Sequence, residues 1–124
     1  MRKSVLLIDD DEDEHQLFAH YLSSYDPTIL IKSAFDGNHA LGLLLIFKPN
    51  YIFLDINMPG MRGLEVLKRL KSMEIINEIP VFIFSTNRQL DIKPEALKFG
   101  AKMYFEKPLY AEGYKKIFDF LFKL

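Results

Sequence analysis

Apolar residues in this chain gather into short runs separated by stretches with helical spacing. Four runs are unbroken: VLLI (5–8), YIFL (51–54), VFIF (81–84) and MYF (103–105). Runs this short and continuous predict parallel strands covered on both faces, where every side chain meets protein whichever way it points. A fifth segment, TILIKSA (28–34), alternates more and predicts an edge strand. Leu17, Phe18, Tyr21 and Leu22 line one face of a helix over 12–25, and Ala40, Leu41, Leu44 and Leu45 repeat that spacing over 37–47. Leu64, Leu67 and Leu70 give residues 63–71 an apolar stripe. Residues 91–99 predict a short helix, with Pro94 tolerated only in a first turn, where its missing N–H is not needed. Tyr114, Ile117, Phe118 and Leu121 define a last helix at i, i+3, i+4 and i+7.

Strand and helix thus alternate five times along residues 1–124. This argues for an α/β fold, a parallel sheet built from βαβ units with helices on both faces. No repeat, low-complexity stretch or linker interrupts it, so a single domain without an attached output domain is expected. In such sheets ligands bind beyond the carboxyl ends of the strands, where strand order reverses. The residues that follow each apolar run are therefore the candidates for chemistry. They are Asp9 and Asp10, then Asp55 and Asn57, then Ser85 and Thr86, then Glu106 and Lys107.

Composition narrows the classes. A chain with 49% hydrophobic residues, 11 Phe and 6 Tyr can build a dense core. A net charge of -1 offers no electrostatic footprint for direct nucleic-acid binding. The absence of cysteine removes disulfides, thiolate catalysis and Cys-based zinc sites together. Four apolar residues after a basic start are too few for a signal peptide or a membrane span, so a cytoplasmic protein without membrane contact is expected.

Carboxylates converging on one sheet edge need a partner. Two like charges about 4 Å apart repel by roughly 4 kcal/mol at an effective dielectric near 20. A hard cation relieves that repulsion, and a few carboxylates with room for waters suit Mg²⁺ better than a full Ca²⁺ cage. A carboxylate beside Mg²⁺ can also attack phosphorus, with Lys107 and the Ser85 hydroxyl available to the equatorial oxygens. The acidic run DDDEDE (9–14) is not an EF-hand loop, because Glu14 stands where that loop requires Gly and His20 where it requires Glu. Asp9 and Asp10 end the strand, while residues 11–14 start the first helix, where negative charge suits the helix dipole. The three histidines, His15, His20 and His39, lack ligand spacing and are expected at the surface or its boundary.

VLLIDD (5–10), YIFLDINMPGMRG (51–63), PVFIFST (80–86) and FGAKMYFEKPL (99–109), in this order and spacing, resemble the response-regulator receiver domain of two-component signalling. The resemblance covers almost the whole chain. It implies a flavodoxin-like, doubly wound (βα)5 fold, a three-layer sandwich with strand order 2-1-3-4-5. It implies Asp55 as phosphoacceptor, and Asp9, Asp10, Asp55 and the Asn57 backbone carbonyl as Mg²⁺ ligands. Lys107 and Ser85 would serve the phosphoryl group, with Ser85 and Tyr104 as the switch pair and a cis bond between Lys107 and Pro108. The phosphodonor would be a histidine kinase or histidine phosphotransfer protein. The face made by the fourth helix, fifth strand and fifth helix would bind a protein target or a second copy, with Phe120 or Phe122 in the contact.

Departures from the family pattern fall around the site. Arg62 replaces a frequent Asp, Thr86 replaces Ala or Gly, and Asn57 and Asn87 stand where dephosphorylation is tuned. Such a domain is not an enzyme toward external substrates; it catalyses only its own phosphorylation and dephosphorylation. One rival is a haloacid-dehalogenase-type phosphatase using Asp9 and Asp11, but Asp13 stands where that family needs Thr or Val. Another is a receiver fold acting without phosphorylation.

Overall fold

The computed structural model describes residues 3–58, 62–86 and 92–123. Five strands, β1 (Ser4–Ile8), β2 (Leu30–Ala34), β3 (Tyr51–Leu54), β4 (Val81–Ser85) and β5 (Met103–Glu106), pair in the order β2-β1-β3-β4-β5, every pair parallel. Helices α1 (Glu12–Tyr25), α2 (Gly37–Leu44), α3 (Gly63–Ser72), α4 (Ile92–Lys98) and α5 (Ala111–Phe122) connect them, with a short 3-10 helix (Ile75–Asn77) after α3. This is the parallel sheet covered on both faces that the strand runs predict, in the flavodoxin-like strand order that the resemblance implies.

Side chains alternate across a strand, so each unbroken run feeds both layers. Leu6, Ile8, Ile52, Leu54, Val81 and Ile83 form an aliphatic layer with Ala40 and Leu44 of α2, Val66, Leu67 and Leu70 of α3, and Ala96 of α4. Val5, Leu7, Phe53, Phe82 and Phe84 point the other way. They meet Phe18 and Leu22 of α1 and Tyr114, Ile117 and Phe118 of α5, a largely aromatic layer. Phe18 touches Phe53, Phe84 and Phe118 edge-on at 5.0, 5.5 and 5.5 Å, the geometry aromatic quadrupoles favour.

Two boundaries and one helix face differ from the sequence expectation. β2 begins at Leu30 because the Asp26 carboxylate accepts from both the N–H and the hydroxyl of Thr28, holding that segment in a turn. α2 ends at Leu44, since Leu45 and Ile46 donate to Gly42 and Leu43 in tighter i to i+3 turns. That tightening turns Leu45 outward, 75% exposed rather than on the predicted apolar face. Leu17 also lies outside its stripe, at 40% exposed, whereas His15 is buried at 5%. The core face of α1 is therefore His15, Phe18 and Leu22. Pro94 is the third residue of α4, inside its first turn as required.

Candidate functional site

Strand register decides which side chains meet. Ile8 pairs with Leu54, and the Asp55 N–H continues the ladder by donating to the Ile8 carbonyl at 2.9 Å. Ser85 pairs with Glu106, and the Lys107 N–H donates to the Ser85 carbonyl at 3.0 Å. Asp9, Asp55, Ser85 and Lys107 thus leave four strands at one edge. β1 lies between β2 and β3, so strand order reverses there, where open α/β sheets bind ligands.

All four side chains are buried. Lys107 Nζ donates to Asp9 Oδ2 at 2.7 Å and lies 3.6 Å from Asp55 Oδ2 and 4.0 Å from Glu14 Oε2. Asp9 Oδ1 accepts from the Asp11 N–H, and Asp55 Oδ1 from the Asn57 N–H. The Ser85 hydroxyl is hydrogen-bonded to the Asp55 carboxylate and also to the Tyr104 hydroxyl. The Ser85 hydroxyl thus stands between the Asp55 carboxylate and the Tyr104 hydroxyl and links the two.

Carboxylate oxygens of Asp9, Asp10 and Asp55 lie within 4.8 Å of one another, with Asp10 the exposed member. Burial raises the Asp55 carboxyl above its ordinary range; Lys107 opposes this, Asp9 adds to it, and the Asn57 and Ser85 hydrogen bonds oppose it without cancelling it. Lys107 is pulled down by burial, but its bond to Asp9 and the charges of Asp55, Asp9 and Glu14 leave it raised, hence an ammonium. One ammonium among this many acids leaves negative charge in excess. The donor set is all oxygen, part of it open to solvent, and it fits a hard divalent cation that keeps waters.

Two residues at the site are absent from the sequence expectation. Glu14, assigned to the helix start, has a buried Oε2 facing Lys107, and burial raises its carboxyl, with Lys107 opposing and Asp9, Asp11 and Asp55 adding. His15 is no surface residue: its Nε2 lies 2.7 Å from the Asp9 carbonyl. Its signal was the i, i+3, i+7 spacing of His15, Phe18 and Leu22. A second correction concerns Lys107–Pro108, which is trans, no cis bond occurring among the described residues. The Lys107 ammonium reaches Asp9 with the ordinarily preferred isomer.

Gly63 opens α3 directly beneath the Asp55 loop. A Cβ there would stand 2.4 Å from the Asp55 carbonyl oxygen and 2.5 Å from the Ile56 Cα, so only glycine allows the contact. Arg62, one residue earlier, is exposed and makes no side-chain capping bond to α3. Thr86 is exposed just past β4, and Asn87 lies outside the described residues. Phe122 packs within the chain, against Tyr51 at 5.1 Å and Phe118 at 5.9 Å, whereas Phe120 is 63% exposed.

Similar proteins carry the same arrangement of strands and helices. The signal receiver domain of a DNA binding response regulator from Colwellia psychrerythraea 34H superposes with a TM-score of 0.85 at 29% identity, covering 98% of this chain and 99% of that one. The protein-glutamate methylesterase/protein-glutamine glutaminase of Clostridium acetobutylicum is 38% identical over 106 residues, 84% of this chain and 30% of that protein. The sensory transduction protein LytT of Oceanobacillus iheyensis is 30% identical over 115 residues, 93% of this chain and 46% of that protein. The chain thus spans less than half the length of these two relatives. The family model for the response regulator receiver domain matches residues 5–119, and with the acid pocket at the switch point of a 2-1-3-4-5 sheet, the chain belongs to that family.

Proposed function

We propose that Asp55 accepts a phosphoryl group from a histidine kinase or a histidine phosphotransfer protein. The observation that carries the reading is the pair of groups already facing Asp55: the Lys107 ammonium, an ion pair at 3.6 Å, and the hydrogen-bonded Ser85 hydroxyl, with Asp9 and Asp10 alongside. An Asp55 oxygen attacks phosphorus, the bond from phosphorus to the donor imidazole breaks, and an acyl phosphate forms. Asp9, Asp10, Asp55 and the Asn57 carbonyl would hold Mg²⁺, which when bound neutralises charge on the phosphoryl oxygens. Lys107 turns from the carboxylates to a new oxygen without leaving the pocket. Asn57, Arg62 and Thr86 would border the approach, and together with Asn87 would set how fast water or a phosphodonor enters.

The phosphoryl group carries about 1.5 to 2 negative charges, in place of the single carboxylate charge at this buried point. Ser85 moves its proton from the carboxylate to a phosphoryl oxygen, and its hydrogen bond with Tyr104 carries that shift to β5. The face of α4, β5 and α5 would then change its affinity for a protein target or a second copy. Exposed Leu109, Tyr110 and Phe120 provide its apolar contacts, and Phe120 rather than Phe122 is the interface ring.

Incubation with acetyl phosphate and Mg²⁺, read by intact mass and Phos-tag mobility, tests this. Wild type should gain one phosphoryl group and Asp55→Asn none. A wild type that stays unmodified would leave the receiver fold acting through contacts alone.

A further inference from the structure

Asp9 is held at every polar atom it has. Its N–H donates to the Ala34 carbonyl at 3.0 Å, Oδ1 accepts from the Asp11 N–H at 3.0 Å, and Oδ2 accepts from Lys107 at 2.7 Å. The remaining atom, its carbonyl oxygen, meets His15 Nε2 at 2.7 Å. A carbonyl only accepts, so the bond requires a proton on Nε2. Nδ1 is buried without a hydrogen-bond partner. Such an orphaned atom is a cost, which points to a purpose for the ring's other side.

The ring is also fixed from outside. Phe35, in the connection between β2 and α2, lies 4.4 Å from the His15 ring. Phe35 stacks on His39 of α2 at 6.1 Å, and its N–H donates to His39 Nδ1 at 3.2 Å. Two histidines without ligand spacing thereby join one aromatic brace, His39–Phe35–His15, ending on the strand-end carbonyl.

We propose that His15 is a positioning residue for Asp9. Braced by Phe35, its ring fixes the backbone at the end of β1 and so the aim of the carboxylate that Lys107 and Mg²⁺ both use. His15 touches neither phosphoryl group nor metal, and Phe35 acts through it. The proposal rests on the phosphoacceptor reading. Removing a group that orients a metal-ligating carboxylate typically weakens metal binding by about tenfold or more.

Calorimetric titration of Mg²⁺ into wild type, His15→Phe, His15→Gln, Phe35→Leu and the His15→Phe/Phe35→Leu double variant tests it. His15→Phe keeps the ring against Phe35 and removes only the hydrogen bond. It should raise the Mg²⁺ Kd about tenfold while Tm stays within a few degrees of wild type. His15→Gln, whose amide can donate to the same carbonyl, should recover part of the affinity. Phe35→Leu should weaken binding less, and not further in the His15→Phe background. Long-range proton–nitrogen correlation should find the wild-type imidazole proton on Nε2. An Nε2 without a proton, or a His15→Phe Kd within twofold of wild type, overturns the proposal. Full additivity in the double variant overturns the part given to Phe35. A wild type that takes no Mg²⁺ overturns the pocket and the role of His15 toward it. The imidazole spectrum, which needs no metal, then still separates that failure from a missing His15–Asp9 bond.

Discussion

Burial sets Asp55 and Glu14 against their own charge, and Lys107 only partly relieves them. A carboxyl raised above its unfolded value contributes stability below that value and loses it as pH rises through the folded one. At neutral pH both ionised groups therefore weigh against folding. Asp55→Asn should raise Tm at pH 7 without Mg²⁺, and differential scanning calorimetry should find the gap closing as pH falls toward the ordinary carboxylate range. The gap should also close on adding Mg²⁺, which stabilises the wild-type fold by binding it; a variant no more stable than wild type would refute the imbalance. Lys107→Met should go the other way, since removing one partner of a buried pair costs about 3–5 kcal/mol, with millimolar Mg²⁺ restoring part of the loss. The raised Lys107 gives wild type an alkaline limb, lost as pH climbs through its folded value above 10.5, that the Met variant lacks. Glu14→Gln should separate two properties that usually move together. Losing its charge should weaken Mg²⁺ and favour the phosphorylated form, and a change of the same sign in both would exclude Glu14 as a charge in the pocket. Asp9, Asp10, Asp55, Ser85 and Lys107 were legible from strand ends alone. Glu14 and His15 were hidden because a helix start explains acids locally, while their contacts span the turn back onto β1.

Helices bring two glycines against the site's connections, and neither closeness is visible in a linear pattern. At Gly113, a Cβ would lie 2.5 Å from the Pro108 Cβ, so the first turn of α5 sets how near the segment carrying Lys107 can approach. At Gly63 the obstacle is backbone, which yields less readily. Gly63→Ala should cost about 1–3 kcal/mol, the usual range for overpacking, and weaken Mg²⁺ binding. Chemical denaturation with a parallel Mg²⁺ titration would measure both, and an unperturbed pocket would show that the Asp55 loop can slide. Element types and order followed from spacing because unbroken runs and helical stripes are periodic signals. Their ends depended on single hydrogen bonds, such as the Asp26 turn before β2, which no period encodes.

Across the molecule, the sheet separates an aliphatic layer from an aromatic one, and the site opens where both end. Phe18 sits at the centre of the aromatic layer, and Phe18→Ala should cost about 3–5 kcal/mol, as large buried deletions do, without touching a pocket residue. Phe120→Ser should leave Tm unchanged while lowering self-association or target binding, read by sedimentation of the phosphorylated protein. Among the described residues no helix is long and apolar enough to cross a membrane. The layer separation has an optical consequence. The chain has no Trp, and four of its 6 Tyr (Tyr21, Tyr25, Tyr51 and Tyr114) belong to the aromatic layer, while Tyr110 is exposed. Tyr104 alone packs on the aliphatic side, at the pocket. Subtracting the spectrum of Tyr104→Phe from that of wild type therefore isolates one chromophore that watches Asp55, and the protein carries its own probe without any label.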